Sequence, residues 1–134
     1  MAKYVLGLDY GTDSVRTVVV NAATGKEEAN EVVYYKRWSK GLYCDPAKNQ
    51  FRQHPLDYVE GLEETVKGAL AKLGPEAGKD VIAIGIDTTG SSPCPVDREG
   101  APLSLKDEFK DIQTESLEEG FDNVLELIKR NDTR

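Results

Sequence analysis

Asp9, Gly11, Thr12, Asp13, Ser14 and Arg16 gather carboxylate, hydroxyl and guanidinium groups in one short stretch directly after an apolar run, residues 4–8. Gly11 permits a tight turn, and successive N–H groups in such a turn can form a concave nest for an anion. Thr12 and Ser14 add hydroxyl donors and Arg16 a fixed positive fork, while Asp9 is a hard oxygen ligand for a hydrated Mg²⁺. The set suits the terminal phosphates of a nucleotide. It is not a Walker A loop, because no Gly-Lys-Ser/Thr ending and no helix pattern follow, and it lacks the third glycine of a dinucleotide fingerprint. An ordinary hairpin with a polar tip is the alternative that local chemistry leaves open.

A second group echoes the first. Leu6-Gly7-Leu8-Asp9 and Ile84-Gly85-Ile86-Asp87 each end an apolar strand in a carboxylate, and Thr88, Thr89, Gly90 and Ser91 follow the second. If the two strands are parallel neighbours, Asp9 and Asp87 share the carboxyl edge of one sheet, where open α/β sheets place their ligands. Two acids there serve a metal and substrate hydroxyls. The alternative is that Asp87 only caps the turn after it.

The elements that must position these groups are legible as α/β. The apolar run, the turn and Thr17-Val18-Val19-Val20 read as a hairpin, and a turn at 21–26 leads to a third antiparallel strand over 27–35. Residues 36–55 show no sustained period and form an ordered loop. Its aromatics (Trp38, Tyr43, Phe51) and cations (Lys36, Arg37, Lys40, Arg52) make either a lid over a polar ligand or a self-packed surface loop. Pro55-Leu56-Asp57 opens a helix whose apolar stripe is Tyr58-Val59, Leu62, Val66, Ala69-Leu70 and Leu73, closed by Gly74-Pro75. The strand at 80–87 follows that crossover and so pairs parallel with the first. Residues 90–103 read as a further hairpin around Asp97-Arg98-Glu99-Gly100. Ser116-Leu117-Glu118-Glu119 is a capping box, and Leu117, Phe121, Val124-Leu125 and Ile128 form one apolar face of a helix over 116–130.

With 134 residues, 31 % of them charged, and a net charge of −7, the chain is one modest domain with no basic surface for nucleic acid or an anionic membrane. It has no apolar run long enough to cross a membrane and no signal peptide, which places it in the cytoplasm. Cys44 and Cys94 are far apart and read as free thiols, and a single histidine argues against a His-based metal site or triad.

Leu8-Asp9-Tyr10-Gly11-Thr12-Asp13-Ser14-Val15-Arg16 resembles the first phosphate motif of the sugar-kinase, heat-shock chaperone and actin (ASKHA) superfamily, in the form used by FGGY carbohydrate kinases. Arg37-Trp38-Ser39-Lys40-Gly41-Leu42-Tyr43-Cys44-Asp45-Pro46, the run from Asn49 to Tyr58, and Gly85-Ile86-Asp87-Thr88-Thr89-Gly90-Ser91-Ser92-Pro93-Cys94-Pro95-Val96-Asp97 resemble the bacterial L-ribulokinase branch of that family. The middle stretch is not shared by the wider superfamily, which disfavours an actin- or chaperone-like ATPase.

The resemblance covers residues 3 to about 110. It implies a partial ribonuclease H-like lobe: a mixed sheet of three antiparallel strands plus a parallel strand after a helix crossover. It implies an ATP- and Mg²⁺-dependent kinase acting on L-ribulose or a related ketopentose. Asp9, Gly11, Thr12, Asp13, Ser14 and Arg16 then face MgATP, with Asp9 toward the metal. Asp87, Thr89, Gly90 and Ser91 face the sugar, whose pocket is also shaped by residues 40–52. Residues 111–134 form a tail outside the resemblance. The catalytic base and adenine pocket of the family have no counterpart here, so no catalytic residue is assigned in this chain and no turnover is expected of it alone. The other reading is a non-catalytic binding or assembly module that forms homo-oligomers through its last helix or an exposed sheet face.

Overall fold

The β-branched run after the first turn folds back on the strand before it. The structure, a computed structural model, describes residues 1–89 and 94–109. β1 (Tyr4–Tyr10) pairs antiparallel with β2 (Ser14–Asn21), placing Leu6 opposite Val19 and Leu8 opposite Thr17. Asn21 Oδ1 accepts from the N–H groups of Ala23 and Thr24 to turn the chain into β3 (Glu27–Tyr34). The 36–55 loop holds only two-residue strands, β4 (Cys44–Asp45) and β5 (Gln50–Phe51), joined by a turn in which Asp45 Oδ1 accepts from Ala47 N–H and Asn49 takes φ 54°. α1 (Pro55–Ala71) crosses over the sheet, and β6 (Val81–Asp87) returns beside β1, parallel to it. All four long strands belong to one mixed sheet in the order β3-β2-β1-β6. The expectation of an α/β chain with a mixed sheet and a helix crossover is met.

α1 lies over β2 and β3, and its buried line is Asp57, Gly61, Thr65 and Ala69. Tyr58, Leu62, Val66, Leu70 and Leu73 flank that line against the core of Leu6, Leu8, Val15, Val19, Ala29 and Tyr35. Val59, expected in the stripe, is exposed instead. A residue two positions beyond Asp57 is rotated about 200° around the helix axis, well away from the sheet. Thr65 Oγ1 donates to Glu31 O, and Lys72 at the helix C-terminus reaches Asn30 O and the Glu31 carboxylate, so polar contacts fix the helix on β3.

Of the hairpin expected over 90–103, the described residues show one bridge, between Val96 and Pro102. Pro95 O accepts from Leu103 N–H at 2.9 Å, but Pro95 has no N–H to return to Leu103, which removes the next ladder bond. Asp97 holds the turn instead, accepting from Glu99 and Ala101 N–H and pairing with Lys106 at 2.6 Å. Leu103 and Phe109 form a small second buried cluster. The helix expected over 116–130 lies outside the described residues, as do residues 90–93 and hence Gly90 and Ser91.

His54 caps α1 in an extended conformation, its Nδ1 accepting from Leu56 N–H at 3.1 Å. Only the unprotonated nitrogen can accept. Burial, reinforced by the Arg37 charge and opposed by Asp57 and Glu60, lowers the pKa of this histidine from its ordinary 6.5. A depressed pKa means the stabilisation is present above pH 6.5 and is lost as the pH falls toward the folded value. Urea unfolding compared at pH 7.5 and 5.5 should show that loss, with a slope of at most about 1.4 kcal/mol per pH unit from this group. His54→Asn, which caps without titrating, should remove it.

Candidate functional site at the carboxyl edge of the sheet

The two pairings of β1 bring the predicted polar groups into one row. Asp9 is the register partner of Arg16 on β2 and of Asp87 on β6. Partners in register project to the same side of a sheet, and side chains alternate along a strand. Leu6, Leu8 and Tyr10 face α1, so Arg16, Asp9 and Asp87 lie together on the opposite face, all three exposed. Gly7 and Gly85 are register partners on that face, two residues before the carboxylates, and leave bare backbone beside them. A Cβ on Gly85 would meet nothing within 4 Å. Asp9 forms no ion pair among the described residues, so its carboxylate is available to a cation.

The tip between β1 and β2 carries Gly11, Thr12 and Asp13. Gly11 N–H donates to Ser14 O at 2.8 Å, which closes the turn, and Ser14 Oγ donates to Asp13 Oδ1 at 3.1 Å. Thr12 and Asp13 are exposed. The other carbonyls of the turn are all engaged from below. Tyr35 Oη donates to Gly11 O at 3.0 Å, Gln53 Nε2 to Thr12 O at 2.7 Å and more loosely to Gly11 O at 3.4 Å, and Tyr35 N–H to Asp13 O at 2.8 Å. Tyr58 Oη in turn donates to Gln53 Oε1, and Tyr10 Oη to Tyr58 O at 3.1 Å. The rings of Tyr10 and Tyr35 meet the Tyr58 ring edge-on at 5.3 and 5.4 Å. Burial, and next the neighbouring Tyr58, push both hydroxyls above the ordinary tyrosine value, so they stay protonated donors.

On the α1 side of the same edge, a cavity of about 300 Å³ is lined by Tyr10, Tyr58, Thr88, Thr89 and Cys94. The structure therefore divides the sequence-predicted residues between two sides. Asp9, Arg16 and Asp87 share one face, the 11–14 turn stands at the tip, and Thr89 lies on the cavity side. Both described thiols, Cys44 and Cys94, are free. Burial raises the Cys94 thiol pKa.

The 36–55 loop packs on itself and on α1. Trp38 meets Phe51 with ring centres 6.2 Å apart, and Tyr43 meets His54 at 5.3 Å. Lys36 pairs with Glu64, and Arg37 with Asp57 and Glu60. Glu60, then Asp57, hold the Arg37 guanidinium well above its ordinary value. Burial lowers the pKa of Arg52, whose Nη2 is buried with no hydrogen-bond partner among the described residues. Sequence reasoning missed the supporting role of Tyr35, Gln53 and Tyr58 at the turn. Gln53 lies 41 positions from Thr12, and no local pattern signals a contact at that separation.

No protein-family model matches the chain. Among curated proteins it is 49 % identical over 108 residues to a ribulokinase of Vibrio parahaemolyticus, a match covering 81 % of this chain and 19 % of that protein. A ribulokinase of Halalkalibacterium halodurans is 40 % identical over 114 residues, and one of Geobacillus thermodenitrificans 42 % over 113, each covering 81 % of this chain and 20 % of the relative. The chain is a homologue of the ribulokinases. The match falls on their N-terminal segment, and the chain spans about a fifth of their length. The match covers the Arg37-to-Tyr58 stretch, where this ribulokinase-like segment holds Gln53 and Tyr58.

The cofactors that the resemblance in sequence leads one to expect are ATP and Mg²⁺. The donor set fits Mg²⁺, which takes one or two carboxylates and completes its octahedron with phosphate oxygens and water. Asp9 and Asp87 can offer at most those two. No helix among the described residues is long and apolar enough to cross a membrane.

Proposed function

We propose that this chain forms the phosphate-facing opening segment of a ribulokinase-type sugar kinase of the ASKHA superfamily, in the cytoplasm, acting on L-ribulose or a related ketopentose. The observation that carries the reading is the register row of Arg16, Asp9 and Asp87 beside an exposed glycine turn. In this reading residues 1–110 are part of a kinase lobe and 111–134 a separate tail. Gly11, Thr12, Asp13, Ser14 and Arg16 receive the phosphates of ATP, and Asp87, Thr89, Gly90 and Ser91 receive the sugar.

Asp9 would hold Mg²⁺, which would supply positive charge against the phosphates. Arg16 balances the phosphate charge from the neighbouring strand, and Asp87 orients a sugar hydroxyl by accepting its proton in a hydrogen bond. Phosphoryl transfer needs groups on both sides of the transferred phosphate, and the residues here form one wall. Loss of a base alone costs about 10²–10⁴-fold, so the chain by itself should bind without turning over.

Calorimetry with MgATP should give heat that weakens about tenfold or more in Asp9→Ala, and a coupled ADP-release assay should stay silent. Turnover that disappears in Asp9→Ala would refute the claim of inactivity, and MgATP binding indifferent to Asp9 would refute the assignment of the turn.

One observation favours a second reading, a non-catalytic module that assembles with its own copies. Ile82, Ile84 and Ile86 on the edge strand β6 are 61, 57 and 60 % exposed. They extend the α1-facing side of the sheet beyond the helix that covers β2 and β3. An apolar row on a strand that has no further pairing partner among the described residues is a template for association. Light scattering on the calorimetry samples distinguishes the readings: a dimer without MgATP heat supports the second.

A further inference from the structure

The turn at 11–13 is asymmetric in its hydrogen bonding. Each of its carbonyls has a donor within the chain. The N–H groups of Thr12 and Asp13 have no acceptor among the described residues. We propose that Gln53 is the positioning residue that makes the backbone of this turn present only donors to an anion, and that Tyr58 acts through it. The proposal rests on reading the turn as a phosphate site.

The geometry follows from the peptide unit. No cis peptide occurs among the described residues, and across a trans peptide the C=O and the following N–H point in opposite directions. Gly11 O and Thr12 N–H share one such unit, and Thr12 O and Asp13 N–H the next. Tyr35 Oη, with Gln53 Nε2 more loosely, draws Gly11 O inward, and Gln53 Nε2 draws Thr12 O at 2.7 Å, so both N–H groups turn away from the body of the protein and that of Asp13 depends on Gln53. A flexible glycine turn has no such preference of its own, because either peptide can rotate and offer its oxygen outward instead.

Only the NH₂ end of the Gln53 amide can serve, since two carbonyls accept and neither donates. The amide is held in that sense by Tyr58 Oη, which donates to Oε1. The ring of Tyr58 is itself wedged between those of Tyr10 and Tyr35. A simpler role, stapling the 36–55 loop to the hairpin, predicts a change in stability and none in ligand affinity. The two roles are therefore separable.

The test titrates tripolyphosphate, the phosphate tail of a nucleotide without its base, into the ¹⁵N-labelled full chain, with and without Mg²⁺. Amide resonances of Thr12 and Asp13 should move in the parent chain. Gln53→Met, nearly isosteric but without the donor, should raise Kd about tenfold at a temperature where both proteins are fully folded. Tyr58→Phe should raise it about threefold and add nothing on top of Gln53→Met, as two members of one relay do.

Unchanged affinity in Gln53→Met, or effects of the two substitutions that multiply, overturns the positioning role while leaving the phosphate site standing. If tripolyphosphate moves neither amide in the parent, the phosphate reading falls and the proposal with it. Should Gln53→Met fail to fold, Tyr58→Phe, which keeps its ring contacts, decides alone: parental affinity overturns the relay.

Discussion

Asp57→Ala should lower the stability of this protein by about 3–5 kcal/mol, the range found when one partner of a buried ion pair is removed. The Asp57 side chain is 1 % exposed and sits at the start of α1. Its two oxygens accept from Arg37 N–H (3.2 Å to each), from Trp38 N–H at 3.2 Å and from Arg37 Nη1 at 2.9 Å. One carboxylate thus satisfies the backbone where the 36–55 loop leaves β3 and ties that loop to the helix.

Alanine leaves two backbone donors and one guanidinium nitrogen short of an acceptor, each worth about 1–3 kcal/mol if it stays dry. Glu60 keeps its two contacts with Arg37, at 3.0 and 3.2 Å, and limits the damage. With urea slopes of about 1–3 kcal/mol/M, the midpoint should drop by at least about 1 M, which equilibrium unfolding reads directly. Asp57→Asn retains an acceptor and should lose less than Asp57→Ala. A drop below about 1 kcal/mol for alanine would show that the carboxylate is not what holds the loop.

The second large effect concerns helix–sheet distance. Gly61→Ala should destabilise by about 1–3 kcal/mol although alanine is the better helix former. The added Cβ would lie 2.8 Å from Val15 Cγ1, on a side chain with no exposed surface, and 3.8 Å from the Tyr35 ring. Neither neighbour has room to yield, so α1 must lift from β2, at the usual cost of overpacking. The gain in helix propensity, about 1 kcal/mol, offsets only part of that.

Gly68→Ala, two helical turns further along the same face, is the control. There the Cβ would meet Glu31 Cγ at 2.9 Å, and Glu31 is a half-buried, flexible side chain that can swing aside. It should be neutral or stabilising in thermal unfolding. Equal losses at both glycines would mean that helix–sheet spacing is not what Gly61 protects.

The difference between these glycines shows where sequence reading stops. Period-3.6 spacing marks Tyr58, Leu62, Val66 and Leu70 as the inward stripe of α1, and they do flank the core. The line that touches the sheet is Asp57, Gly61, Thr65 and Ala69, which reads as polar or small and so gives no apolar signal. Val59 reads as core and is exposed, because the true contact is centred on the other side of Tyr58. A carboxylate becomes a core residue only when its partners come from the end of another strand, and those partners lie about 20 positions away.

The four long strands, the crossover helix and the carboxyl-edge placement of Asp9 and Asp87 were decided by the sequence alone. Alternation, β-branching, a proline at a helix start and a carboxylate closing an apolar run are local properties, and parallel pairing after a crossover follows from chain geometry. Tertiary structure decided the rest: which way the peptides of the 11–13 turn face, which residues of α1 touch β2, and that no described residue covers the isoleucines of β6. Each of these depends on groups brought together from distant parts of the chain, and no local pattern of residues encodes a distance between them.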